Sequence, residues 1–118
     1  MTATVHSLDC RKYAEVPINT LAPHPNIGRE ILQCFVSRIA EDFYPMAIGF
    51  LHVADYEING ERKLWIIDGR QRWAAMMALG LGDKLVHVCI HRNVRDDERC
   101  ARIFLQLNTF TPHRKRAK

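Results

Sequence analysis

Asn59-Gly60 lies between two apolar runs, Met46 to Val53 and Leu64 to Ile67, and no other feature of the 118-residue chain restricts its fold as much. A type I′ turn needs positive φ at both central positions. Asparagine and glycine tolerate that, and the turn's twist suits paired antiparallel strands. The pair predicts a hairpin, so the domain must contain a sheet.

The other elements group around this hairpin. Val16 to Leu21 reads as a short strand, with Pro17 at a sheet edge or a strand start because it lacks an N–H to donate. Pro23 and Pro25 bracket His24 in an extended turn. Ile31, Leu32, Phe35, Val36 and Ile39 recur at helical spacing and predict an amphipathic helix over Arg29 to Phe43. Gly69 ends the second hairpin strand, and a helix from Gln71 to Leu79 should stop at Gly80 or Gly82. Leu85 to Ile90 is a further strand with Val86, Val88 and Ile90 on one face. Asp96, Asp97 and Glu98 mark the start of a last helix, whose Cys100, Ile103, Phe104 and Leu107 should pack on the sheet. The expected fold class is α+β, a small mixed sheet with helices packed on it. A flexible arm is expected over 1–14, one domain over 15–110, and a tail over 111–118.

Composition excludes several classes. Hydrophobic residues at 47% and charged residues at 25% are those of a chain with a packed core, not of a disordered or fibrous one. No apolar run approaches the ~20 residues that span a bilayer, and the N-terminus does not read as a signal peptide, so a cytoplasmic protein with no membrane partner is expected. Cys10, Cys34, Cys89 and Cys100 are too scattered for a zinc motif and are expected as buried thiols. The formal charge is +4, and its placement matters more than its size. Of seventeen Lys and Arg, four are Arg114, Lys115, Arg116 and Lys118; the other thirteen match the thirteen Asp and Glu. The tail is thus a candidate for sequence-independent contact with DNA phosphates, and equally reads as a solubilising end or as the cut end of a longer protein.

The candidate chemistry lies at Ile67-Asp68-Gly69-Arg70-Gln71-Arg72-Trp73-Ala74-Ala75. A strand that stops at glycine and opens a helix points unpaired N–H groups and the positive end of the dipole forward, which favours phosphate. Arg70 and Arg72 add planar donor forks, and Asp68 can orient an arginine, cap the helix or ligate a metal ion. The plain alternative is that Asp68 caps the helix while both arginines are solvated. Trp65 and Trp73 flank the segment as base-stacking candidates, although core or rim positions are the commoner fate of such residues. His87, Cys89 and His91 alternate on one strand, a pattern that fits a soft metal site but more often a partly exposed sheet face.

The arginine segment resembles the G-x-x-R-x-x-A segment of the ParB/sulfiredoxin-like superfamily, close to its Asp-Gly-Gln-His-Arg variant. Val16-Pro17-Ile18-Asn19 through Asn26, Tyr44-Pro45-Met46, and Phe104-Leu105-Gln106-Leu107-Asn108 are similar to other parts of ParB N-terminal domains, so the likeness runs over residues 16 to 111. It implies nucleotide or phosphate contact at Gly69 and Arg72, with Asn108 matching a further motif; together with the junction's own chemistry this makes Gly69, Arg70, Gln71, Arg72 and Asn108 the nucleotide- or phosphate-binding candidates and Asp68 and Arg72 the catalytic ones. It also implies a nucleoside triphosphate (CTP or ATP) and Mg²⁺ as cofactors, DNA as partner, and the nuclease or NTPase activity of plasmid and phage members. The alternative it leaves is a non-enzymatic, nucleotide-gated adaptor or an inhibitor of a host DNA system. Two departures are plain. Arg70 stands where sulfiredoxins carry their cysteine, and Leu107, Phe110 and Thr111 replace the Glu, Gln and Arg around the Asn of the third ParB motif.

Overall fold

The computed structural model describes residues 11–43 and 48–109. The arm before Arg11, the Tyr44-Pro45-Met46 match, and the tail residues Arg114, Lys115, Arg116 and Lys118 lie outside the described residues. Strand β1 spans Arg11–Pro17, a 3₁₀ turn Ile18–Thr20, and β2 Leu21–Pro23. Helix α1 follows at Gln33–Glu41, then β3 at Leu51–Ile58, β4 at Glu61–Asp68, α2 at Arg70–Ala78, β5 at Leu85–His91 and α3 at Asp97–Thr109. The five strands form one mixed sheet in the order β1-β5-β3-β4-β2. The α+β expectation agrees with this arrangement.

The hairpin is the β3–β4 pair, antiparallel, with Asn59 at φ 51° and Gly60 at φ 86° as the I′ turn requires. β4 is longer than its apolar run, and β3 begins only at Leu51 and runs on to Ile58, because cross-strand pairing carries residues 55–58 and 61–63 into the ladder. Alternation along β4 then divides the core. Leu64 and Ile66 face one cluster with Val53, Val88 and Met76 of α2, while Trp65 and Ile67 face another with Tyr56, Ala54 and Cys100 of α3. Helices therefore cover both faces of the central strands. Helix α1 lies beside α2. Asp96 caps α3, its Oδ1 accepting the N–H of Arg99 at 2.8 Å.

Several sequence expectations change. Val16 to Leu21 is not one strand: β1 ends at Pro17, and the 3₁₀ turn Ile18–Thr20 separates it from β2. Residues 11–14 belong to strand β1 and not to an arm, because they pair antiparallel with the end of β5, a partner over seventy residues away. Helix α1 begins at Gln33 rather than Arg29, and only Val36 of its apolar positions is fully buried; Phe35 stays 44% exposed. Cys89 and Cys100 are buried thiols, but Cys34 is exposed on α1.

Candidate functional site

Strand β4 ends at Asp68, and Gly69 turns the chain into α2 at φ 109°. A Cβ there would stand 2.4 Å from Leu51 Cδ2 and 3.1 Å from Arg72 Nη2, so the position has neither the backbone conformation nor the space for a side chain. Gly69 is itself the N-cap and no side chain caps the helix. Asp68 is thus not the cap that the plain alternative supposed. The first-turn amides of α2 carry the dipole's positive end into the space in front of the junction.

That space is a cavity of about 360 Å³. Arg29, Arg38, Arg70 and Arg72 line it, against a single carboxylate among the described residues, Asp68. Phe35 and Phe104 add apolar faces to the lining, Phe35 one helical turn from Arg38. Such a lining suits a ligand that carries both an anionic group and a flat ring.

The arginines are held to different degrees. Arg70 Nη2 donates to the carbonyls of His24 at 2.5 Å and Ile27 at 2.6 Å, while its Nε is buried with no hydrogen-bond partner. An unpartnered donor on a buried cation is costly and calls for an acceptor. Arg72 Nη1 donates to the Ile48 carbonyl at 2.5 Å, and its Nη2 lies 3.4 Å from Asp68 Oδ2. Burial lowers the pKa of both guanidiniums, and Asp68 offsets part of that at Arg72. Arg29 donates to Asn108 Oδ1 through Nη2 at 2.7 Å and Nε at 3.2 Å. Arg38 is exposed and has no hydrogen-bond or ion-pair partner among the described residues.

The turn beneath Arg70 is fixed by a buried histidine. His24 Nδ1 accepts the N–H groups of Asn26 and Ile27 at 3.0 and 3.1 Å, which places its proton on Nε2, 3.0 Å from Asp97 Oδ1. Tyr56 donates its hydroxyl to the same carboxylate oxygen at 2.7 Å. Sheet, turn and α3 thereby set where the two carbonyls meet Arg70.

Of the residues singled out from sequence, Asp68, Gly69, Arg70, Gln71 and Arg72 line the cavity together. Gln71 Oε1 accepts the Leu32 N–H at 2.9 Å and so holds the start of α1. Asn108 reaches the site only through Arg29, and its Nδ2 donates to the Phe104 carbonyl at 2.7 Å. Neither tryptophan lines the cavity: Trp65 Nε1 donates to the Tyr56 carbonyl at 2.7 Å and Trp73 Nε1 to the Ile18 carbonyl at 3.3 Å. His87, Cys89 and His91 share a face of β5 but not an environment, since His87 is exposed and 3.3 Å from Glu15, whereas Cys89 and His91 are buried. Sequence reasoning missed Arg29, Arg38, Phe35 and Phe104 as site residues. The one available signal was Phe35 and Arg38 at i, i+3 spacing on a single helix.

No family model matches the chain, and no curated protein matches it. Among solved structures it is similar to the C-terminally truncated chromosome-partitioning protein ParB from Caulobacter crescentus complexed with CTP-gamma-S, at a TM-score of 0.60 and 20% identity. The match covers 82% of this chain and 52% of that one, so the chain spans about half the length of that protein. The fold is ParB-like.

Proposed function

We propose that this ParB-like domain binds a nucleoside triphosphate, with its phosphates at the first turn of α2 and its base between Phe35 and Phe104. The observation that carries the reading is the cavity at the strand-to-helix junction, where four arginines converge and the buried Arg70 Nε lacks an acceptor. Phosphate oxygens match both the dipole and the forks. The CTP-gamma-S in the similar solved structure supports the same ligand class, CTP or ATP. Asp68 fits a Mg²⁺ ion carried in with the nucleotide, since Mg²⁺ keeps several waters and takes one or two carboxylates beside phosphate oxygens. The tail residues Arg114, Lys115, Arg116 and Lys118 would hold DNA without reading its sequence, in keeping with a plasmid or phage protein of the Asp-Gly-Gln-His-Arg type.

With one carboxylate lining the cavity among the described residues, already leaning on Arg72, binding is better supported than hydrolysis, which favours a nucleotide-gated adaptor or inhibitor of a host DNA system. The nuclease or NTPase reading rests on that same Asp68, 28% exposed and within the cavity, with Arg72 steadying it. Incubation with supercoiled plasmid and Mg²⁺ separates the two. Nicking that is lost in Asp68→Asn supports the enzyme, and intact plasmid supports the adaptor. The nucleotide reading itself is tested by thermal denaturation with each triphosphate, because a ligand that binds only the folded state raises the midpoint. A midpoint unmoved by millimolar CTP, ATP, GTP or UTP in Mg²⁺ would refute it.

A further inference from the structure

On the sheet face opposite α2, the described residues bring two imidazoles and a sulfur together. The parallel register of β3 and β5 sets His52 opposite Cys89, and His91 lies two residues farther along β5 on the same face. His52 Nδ1 is 2.9 Å from His91 Nε2, Cys89 Sγ is 3.9 Å from that same nitrogen, and the three donor atoms all lie within 4.8 Å of one another. Cys89 is 1% and His91 8% exposed. A register shift in the β3–β4 ladder falls between His52 and Val53, the kind of irregularity that re-aims a side chain.

We propose that His52, Cys89 and His91 form a binding site for a borderline-soft divalent cation, zinc, that clasps β3 to β5 and keeps a fourth position for water. Zinc–nitrogen bonds of about 2.0–2.1 Å and a zinc–sulfur bond of about 2.3 Å put tetrahedral ligand atoms roughly 3.3–3.6 Å apart. Of the observed spacings, 2.9 Å is shorter than that range and 3.9 Å longer, and the His52–Cys89 pair is held within 4.8 Å, so side-chain adjustments of up to about an ångström close the tripod. The donor set of two imidazoles and a thiolate is one that zinc takes and magnesium does not. On binding, the thiol proton passes to solvent, and the N–H proton between the two imidazoles is exchanged through solvent for one on the other nitrogen of the same ring, so both rings stay neutral and present His52 Nδ1 and His91 Nε2 as lone pairs. Arg11, opposite His91 in β1, and Arg72 are cations whose charge reaches the cluster, and Asp68 and the thiolate offset them. The cluster shares no residue with the arginine cavity, although His52 pairs with Asp68 across the β3–β4 ladder, and the zinc assignment does not rest on the nucleotide reading.

The test uses the whole chain. After removal of metal with a chelator, titration with Co²⁺ is expected to give one equivalent bound, with a thiolate-to-cobalt charge-transfer band and the intense visible bands of a tetrahedral ion. Cys89→Ser should lose the charge-transfer band, and His52→Gln should weaken binding at least tenfold, while His87→Gln and Cys34→Ser keep the wild-type spectrum. Zinc is expected to displace the cobalt and raise the melting temperature of the wild type. Should a cluster variant fail to fold, the wild-type spectrum and zinc-dependent melting decide alone. No cobalt bound at micromolar concentration, a spectrum without a thiolate band, or an unchanged band in Cys89→Ser would each overturn the assignment.

Discussion

Replacing Gly69 with alanine tests the junction at the position where geometry is least forgiving. Two costs add. An L-residue held at φ 109° is strained by about 1–3 kcal/mol. The new Cβ also arrives 2.4 Å from Leu51 Cδ2, and Leu51 is fully buried, so the core must shift. Overpacking of that kind costs about 1–3 kcal/mol. The sum, about 2–6 kcal/mol, is a large part of the ~5–15 kcal/mol that holds a typical domain together. Thermal unfolding of Gly69→Ala should therefore fall by roughly 8 °C or more, at about 4 °C or more per kcal/mol for a chain near this size. A double-mutant cycle with Leu51→Ala separates the two causes. The methyl clash disappears in the double mutant and the backbone strain does not, so a favourable coupling of about 1–3 kcal/mol is expected. A melting point within about 2 °C of wild type for Gly69→Ala, a change below ~0.5 kcal/mol, would refute the reasoning about both space and conformation.

Four further perturbations follow. Arg38→Ala removes an exposed guanidinium that holds nothing else, so nucleotide affinity should fall about 10- to 100-fold, as for loss of a charged hydrogen bond, with stability unchanged in a parallel melt. Arg72→Ala should instead lower both, because Arg72 also holds the Ile48 carbonyl and Asp68; equal melting temperatures would show those bonds to be idle. The Tyr56 hydroxyl, and after it His24, hold the Asp97 carboxyl below its ordinary pKa of 3.8, so its contribution is present above that value and lost as pH falls through the lower folded one. Asp97→Asn should accordingly be less stable than wild type at pH 7, and the gap in urea midpoints should close below about pH 4; a gap independent of pH would contradict the network. Deleting residues 111–118 should weaken filter-bound DNA and flatten its salt dependence while leaving nucleotide binding intact, and loss of both would join functions separated here.

The features readable from sequence are local ones. Asn59-Gly60 specifies its turn by the φ values the two residues accept, and Asp68-Gly69-Arg70 specifies a strand-to-helix break within three residues. What could not be read is set by partners far away in the chain. Arg11 to Ala14 show no apolar alternation and are strand because β5 offers an unpaired edge. Arg29 reaches the site through Asn108, seventy-nine residues on, and Arg70 reads as a solvated phosphate ligand until the His24 turn is seen folded beneath it. The strand histidines show the same limit. Alternation put His87, Cys89 and His91 on one face correctly, but only the β3–β5 register replaces His87 with His52.

The central claim is that the arginine cavity takes a nucleoside triphosphate. Calorimetric titration of the chain with CTP, ATP, GTP and UTP in Mg²⁺, repeated on Arg38→Ala, tests it most directly. The account expects saturable binding of one equivalent of at least one nucleotide, weakened about tenfold or more in the variant while its fold is kept. No heat of binding from any of the four, or equal affinity in wild type and Arg38→Ala, would contradict it.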